Sequence, residues 1–313
     1  MTTIELQSET GLRLVLHRKG ASIVGLYAPD RNGVVSNLCL SSHAKNDGTF
    51  SGATIAPVAG RICGGVVPIL ENVFQMPQND GPNCLHSGPE TLGLAMWDVT
   101  YHSAGLVRFQ KSLADGQCGL PGQRLFTAEY RLCRSSFSLN LSAVSDRDTF
   151  VNMTNHAYWN LSGNPDSSAY DHELQIFADQ VWYNDEMHLP RTLCSVADTA
   201  FDYRCPRKIC DALLESSGSD QLRNANGYNN AFVLRGENAV KLYHRASGRI
   251  LKIKTDAPCL VFYSGGYFSV PGSALAFEPQ LVPDAPRLLG RRLPLLHKDR
   301  IFQLGITYQF GIL

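Results

Sequence analysis

Apolar and polar residues alternate with a period of two along much of the chain. Phe137-Ser138-Leu139-Asn140-Leu141-Ser142 is the clearest stretch, and Leu251-Lys252-Ile253-Lys254 repeats it. Alternation of this kind marks a strand with one face in a core and the other in water. Leu12 to Leu16 and Leu174 to Phe177 are further strand candidates. Turn dipeptides fall between such stretches: Asn32-Gly33, Asp47-Gly48, Asp80-Gly81, Asp115-Gly116 and Asn226-Gly227. They supply the positive φ angles that hairpin turns need. Helical pattern is scarce. Pro206 to Glu215 is the one short candidate, with Pro206 in its first turn. Ser162 to Asp171 reads as a polar, mobile loop, too short to divide domains. Short strands with recurring turns predict an all-β chain, a large antiparallel β-sandwich, rather than alternating βαβ units. Neither a linker nor an internal repeat interrupts it, so residues 1–313 are expected to form a single domain.

Composition narrows the function classes. Hydrophobic residues make up 44% and charged residues 18%, ordinary for a globular protein. The 28 basic residues equal the 28 acidic ones, which gives no electrostatic reason to expect nucleic acid or an anionic membrane as partner. No uninterrupted apolar run is long enough to span a bilayer. Met1 to Leu6 carries no basic stretch followed by an apolar one, so no signal peptide is expected. The nine cysteines are scattered, odd in number and without a CxxC pair, which argues against a disulfide framework and for a cytoplasmic location.

Three segments concentrate useful polar groups: Gly81 to Gly88, Asn152 to Gly163, and Ala276 to Gln280 continued by Val282 to Pro286. His156 lies between Asn155 and Asn160 and is followed by Tyr158 and Trp159. A lone histidine beside aromatics is commonly structural. Aromatic faces also pack on the C–H face of a sugar, amides bond its hydroxyls, and imidazole suits proton donation near neutral pH. His86 is either a turn residue or a second imidazole at the same ring. Glu278 precedes Pro279, which biases it to extended backbone and lets its carboxylate project from a strand end; the alternative is a solvated surface acid. Arg61, in Gly60-Arg61-Ile62, is a buried ion-pair partner or a donor to sugar hydroxyls. HxH, HExxH and paired-Cys spacings are missing, so no metal is expected. GxGxxG, GxxxxGK[ST] and GxSxG are missing too, which leaves nucleotide binding and a serine nucleophile without support.

Taken in order, these segments resemble the aldose 1-epimerase (galactose mutarotase) family. The matching stretches include Gly60-Arg61-Ile62, Gly81-Pro82-Asn83-Cys84-Leu85-His86, Asn152 to Leu161, Phe201-Asp202-Tyr203-Arg204, Gly227-Tyr228-Asn229-Asn230, Phe262-Tyr263-Ser264-Gly265 and Phe277-Glu278-Pro279-Gln280. The resemblance implies a β-supersandwich with an open sugar cleft and no cofactor. It implies that Glu278 is the catalytic base and His156 the general acid, with Arg61 and His86 binding and orienting the sugar. Asn229, Asn155 and Tyr263 stand in matched segments and are expected at the substrate too. The implied partner is a monosaccharide, an aldohexose, met by a monomer or homodimer. Glu278, ionised near neutral pH by its reference pKa of about 4.3, would take the C1 hydroxyl proton while His156 protonates the ring oxygen.

Two positions depart from the family pattern. Many members carry Asp where Asn229 stands and Gln where Val261 stands. The amide of Asn229 bonds a hydroxyl without full negative charge, and Val261 does not hydrogen-bond at all. These changes predict a preferred sugar other than galactose or glucose, or else a loosened, promiscuous site. Two competing functions remain: a sugar-binding or sugar-sensing protein on the same fold with little turnover, and an enzyme for a phosphorylated or sulfonated hexose. The second would draw on Arg287, Arg291 and Arg292, whose simpler reading is a solvated basic loop.

Overall fold

The alternating stretches form strands, and their apolar sets face inward together. In the strand Ser136–Ser145, Phe137, Leu139, Leu141 and Ala143 are buried while Asn140 is exposed. In Arg249–Thr255, Leu251 and Ile253 are buried and Lys252 and Lys254 exposed. The structure is a computed structural model that describes residues 2–40, 50–216 and 218–313. The Leu12 to Leu16 and Leu174 to Phe177 candidates appear as Arg13–His17 and Glu173–Ile176. Asp47-Gly48 lies outside the described residues; the other four turn dipeptides place their glycines at positive φ, Gly33 at 82° among them. There the Asp30 carboxylate accepts from the backbone N–H groups of Asn32 and Val34 and closes the turn.

Among the described residues, two large antiparallel sheets dominate. A nine-stranded sheet runs, in spatial order, through Asp98–Ser103, Leu106–Leu113, Arg124–Cys133, Ser136–Ser145, Ile301–Ile312, Arg249–Thr255, Asn238–His244, Glu173–Ile176 and Arg207–Lys208. A seven-stranded sheet runs through Pro190–Ser195, Ala178–Asn184, Asn229–Leu234, Cys259–Tyr263, Leu275–Gln280, Tyr158–Trp159 and Cys39–Leu40. A four-stranded meander, Thr3–Gln7 to Val35–Asn37, adds a third layer of pairing. The all-β sandwich expected from period and turns is what forms. One core joins the large sheets: Phe126, Tyr130, Leu139 and Tyr308 from the first meet Phe232, Leu260, Phe262 and Phe277 from the second. Trp159 crosses the gap, its ring 5.3 Å from that of Tyr308. Each such side chain contributes about 1.5–3 kcal/mol through removal from water.

Two local expectations are corrected. The helix spans Ile209–Glu215 only. Arg207 and Lys208 instead pair with Leu174 and Glu173, so sheet hydrogen bonds take the residues that follow Pro206. The polar stretch after Ser162 is tied down. Asn160 sends its amide N–H bonds to the carbonyls of Ser167 and Ser273, and Ser162 Oγ meets Ser167 Oγ at 2.6 Å. Residues that looked solvated are partners in a local network whose distant members a sequence window does not contain.

Candidate active site

Glu278 sits within the interior strand Leu275–Gln280, not at a strand end, and all six of its residues are buried. Burial on both faces explains the unbroken apolar look of its start. Phe277 and its cross-strand partner Phe262 face the core, their rings stacked at 5.2 Å. Glu278 and Gln280, on the opposite face, line a cleft of about 330 Å³, at the small end of the range for small-molecule sites. Pro279 lacks an N–H, but the strand on that side, Tyr158–Trp159, pairs only as far as Leu275 and Ala276, so no ladder bond is lost.

Register builds the cleft floor. Glu278 lies opposite Val261, and Val261 opposite Ala231. Tyr158 pairs with Ala276, and the same register carried two residues back sets His156 beside Glu278. One row across the sheet therefore reads Ala231, Val261, Glu278, His156. The next row reads Asn229, Tyr263, Ala276, Tyr158. Side chains opposite one another in antiparallel strands share a face, so both rows open into the cleft.

His156 Nε2 lies 3.4 Å from Glu278 Oε1. The backbone fixes the imidazole: His156 N–H donates to Ala53 O at 2.8 Å, and Gly52 N–H donates to His156 O at 2.9 Å. Gln280 Nε2 approaches the other carboxyl oxygen at 3.5 Å. Burial penalises both charged forms. It raises Glu278 to about 8, against a smaller lowering by Arg61, and lowers His156 to about 4. At neutral pH these shifts favour a neutral carboxyl beside a neutral imidazole, whereas the reference value favours an ionised Glu278. The reference value ignores a burial that only the fold creates.

His86 and Arg61 arrive together because Cys84–Leu85 pairs with Arg61–Ile62. His86 has φ 50° and the following Ser87 φ 70°, a bend held by Ser87 Oγ, which bonds both the N–H and the carbonyl of Val58. Gly60 N–H donates to His86 Nδ1 at 3.1 Å, which puts the imidazole proton on Nε2 and makes it a donor. Burial first, then His156 and Arg61, hold His86 well below its usual range and therefore neutral. Arg61 Nε is paired with Asp80 at 2.7 Å. Its two terminal nitrogens have no hydrogen-bond partner among the described residues, and Arg61 lines the cleft. Asp284, buried beneath, takes the N–H of Cys63 and gives its own to Arg61 O.

Ligand atoms of His86, His156 and Glu278 come within 4.8 Å of one another, a proximity that sequence spacing did not reveal. His86 is a poor third ligand as placed, since binding through Nε2 would require losing that proton or breaking the Gly60 bond.

Gly60 is required by this corner. Its φ is 78°, and a Cβ there would stand 3.0 Å from Pro283 Cβ and 3.4 Å from Gln280 Oε1. Gly60→Ala is expected to cost about 1–3 kcal/mol, read as a lower midpoint in thermal unfolding.

Most expected site residues converge. Glu278, His156, His86, Arg61, Asn229 and Tyr263 all line the cleft. Asn155 does not. It is fully buried, with Nδ2 donating to Gly52 O at 2.9 Å and Oδ1 accepting from Ala157 N–H at 3.1 Å. It fixes the backbone around His156 and touches no substrate space, because successive residues of an extended chain point to opposite sides. Sequence reasoning missed Phe50, Asn184, His188 and Phe268 in the lining. Asn184 Oδ1 is buried there without a partner. None of the four sits in a segment with a readable signal. Arg287 is engaged by Asp284 and by Pro190 O, and neither Arg291 nor Arg292 lines the cleft, so these cations do not equip it for a charged C6 group.

A wider groove of about 1270 Å³ runs past Tyr183, Phe201 and Ser219, but no imidazole lines it, and two of its three carboxylates are paired with its own arginines, Asp202 with Arg204 and Glu215 with Arg207. The smaller cleft gathers the candidate acid and base groups.

The family model described as aldose 1-epimerase matches residues 2–309. The chain belongs to the aldose 1-epimerase family. The family's reaction class, isomerisation between sugar anomers, comes with that membership. The chain is 32% identical over 304 residues to aldose 1-epimerase of Escherichia coli K12, covering 90% of this chain and 87% of that one. It is 32% identical over 273 residues to bovine galactose mutarotase, covering 84% and 77%. Among solved structures, galactose 1-epimerase of Lactobacillus acidophilus superposes with a TM-score of 0.88 at 30% identity, over 99% of this chain and 94% of that one. An aldose epimerase homologue from Caenorhabditis elegans gives 0.90 at 26% identity, over 99% of both chains. No helix among the described residues is long and apolar enough to cross a membrane.

Proposed function

We propose that Glu278 and His156 interconvert the α and β anomers of a monosaccharide by opening and closing its ring, while Arg61 and His86 hold the sugar by its hydroxyls. The observation that carries this is the 3.4 Å approach of a buried imidazole to a buried carboxyl on the floor of a sugar-sized cleft. In the working arrangement the pair's single proton is on His156. Glu278 takes the proton from O1, His156 gives its proton to O5, and the C1–O5 bonding electrons go to O5. The product is the open-chain aldehyde, with a neutral acid and a neutral imidazole left behind. That is the protonation that burial favours for this pair, so the surroundings stabilise the ring-opened state relative to the start. Rotation about C1–C2 presents the other carbonyl face, and the same groups run the step backwards. Asn229, whose side-chain amide has no partner among the described residues, and Tyr263 complete the hydroxyl contacts.

The substrate is an uncharged aldose on this reading, since the cleft holds one guanidinium already paired to Asp80. All nine thiols are free, which fits a reducing, cytoplasmic compartment.

Polarimetry tests the assignment. Fresh α-anomers of several aldoses are followed with and without protein. An enzyme speeds the approach to equilibrium in proportion to its concentration, whereas a sugar binder leaves the rate at its spontaneous value. The second result with every sugar would remove the catalytic reading.

A further inference from the structure

The row Val261, Glu278, His156 has a counterpart in the sugar. Around a pyranose the order is C2, C1, O5. If O1 meets Glu278 and O5 meets His156, then C2 lies on the side of C1 away from O5, which is the side of Val261. This placement rests on the proton-transfer reading above. Val261 is the direct cross-strand partner of Glu278, and Ala231 is the next residue beyond it. Both face the cleft, and neither side chain carries a hydrogen-bonding atom. Val261 is 6% exposed and Ala231 2%, so they form a dry apolar strip beside the reacting carbon. Polar groups lie elsewhere on the floor, with Asn229 and Tyr263 a row away and Gln280 on the far side, engaged by Asn152.

We infer that Val261 and Ala231 form a subsite for a C2 without a hydroxyl, so that the protein favours 2-deoxyaldoses over their parent sugars. A C2 hydroxyl pressed against this strip loses water and gains no protein partner, whereas a CH₂ group buries apolar surface there. An apolar surface discriminates against a hydroxyl only moderately, by about 10²-fold at most. The expected preference is therefore about tenfold in kcat/KM.

The experiment compares 2-deoxygalactose with galactose and 2-deoxyglucose with glucose. Each kcat/KM is divided by that sugar's spontaneous rate constant at the same pH, because the deoxy sugars have their own intrinsic reactivity. The normalised deoxy-to-parent ratio is expected to be about ten in the wild type. Val261→Gln, which adds an amide to the strip, should bring it to about one or below. Val261→Thr, which keeps the shape of valine and adds one hydroxyl, should lower it several-fold and guards against a folding failure in the larger substitution. A wild-type ratio of one or less in both sugar pairs, or a ratio that neither variant moves, overturns the subsite. Failure of the wild type to accelerate any of the four sugars would instead overturn the proton-transfer reading, and the subsite with it.

Discussion

Glu278→Gln is expected to lower kcat for anomer interconversion by about 10³-fold or more and, at the same time, to make the protein more stable at pH 8. The two effects have one cause. The activity loss follows because an amide of the same shape cannot take the O1 proton, and one positioned proton transfer typically contributes about 10²–10⁴-fold. The stability gain follows from burial. The carboxyl is only 3% exposed, and its pKa is raised from 4.5 to about 8. A group raised in the folded state contributes its full stability below its unfolded value and loses it as pH climbs through the folded value. Wild type therefore loses stability between about pH 4.5 and 8, because unfolding releases the carboxyl to ionise in water. The glutamine variant has no such loss. Its advantage in stability should be small at pH 4.5, grow up to pH 8 and then level off, reaching on the order of a few kcal/mol. Melting curves at four or five pH values measure it. A variant that is less stable than wild type at pH 8, or a difference that does not change with pH, would mean that the carboxylate is not held at a cost in this site.

The second large effect is in pH dependence. Between about pH 4 and 8 the pair Glu278 and His156 holds one proton. Moving that proton from carboxyl to imidazole changes no proton count, so the fraction in the working arrangement does not vary with pH in this window. We expect a flat kcat/KM between the two limits once the acid- and base-catalysed background is subtracted. Below about pH 4 a second proton occupies the pair and no base is left; above about pH 8 the only proton is gone and no acid is left. Each limb should fall about tenfold per pH unit. His156→Gln should abolish both limbs together with most of the activity. A profile that peaks between 4.3 and 6.5 and already declines at neutral pH is the signature of the two groups at ordinary reference values, and it would show that the site is not as dry as its geometry indicates.

The strands were legible before the fold was known, for a reason internal to the chain. Residues such as Leu139, Leu141, Leu251 and Ile253 alternate with polar neighbours, and the pleat converts that alternation into two faces without help from distant residues. Candidate acids and bases were legible as residue types in short polar segments. What those segments did with their side chains was not. Asn155 and His156 are neighbours in sequence, yet one braces the backbone at Gly52 and the other reaches the carboxyl of Glu278. The difference is which face of a short extended stretch each occupies, and pairing with Thr54–Ile55 decides that. His188 and Phe50 reach the cleft from segments whose sequence carries no sign of it, because loops are placed by the scaffold around them.

By itself the sequence determined that this protein would be all-β, built of one-sided strands and short turns, with an imidazole and a carboxylate available for proton transfer. Only the tertiary structure decided that Glu278 lies in mid-strand with His156 on one side and Val261 on the other, and that burial pushes both titrating groups toward their neutral forms. Alternation is a property of adjacent residues, whereas register and dryness come from pairing between separate strands, Glu278 with Val261 on one side and with the distant His156 segment on the other, so local pattern is silent about both.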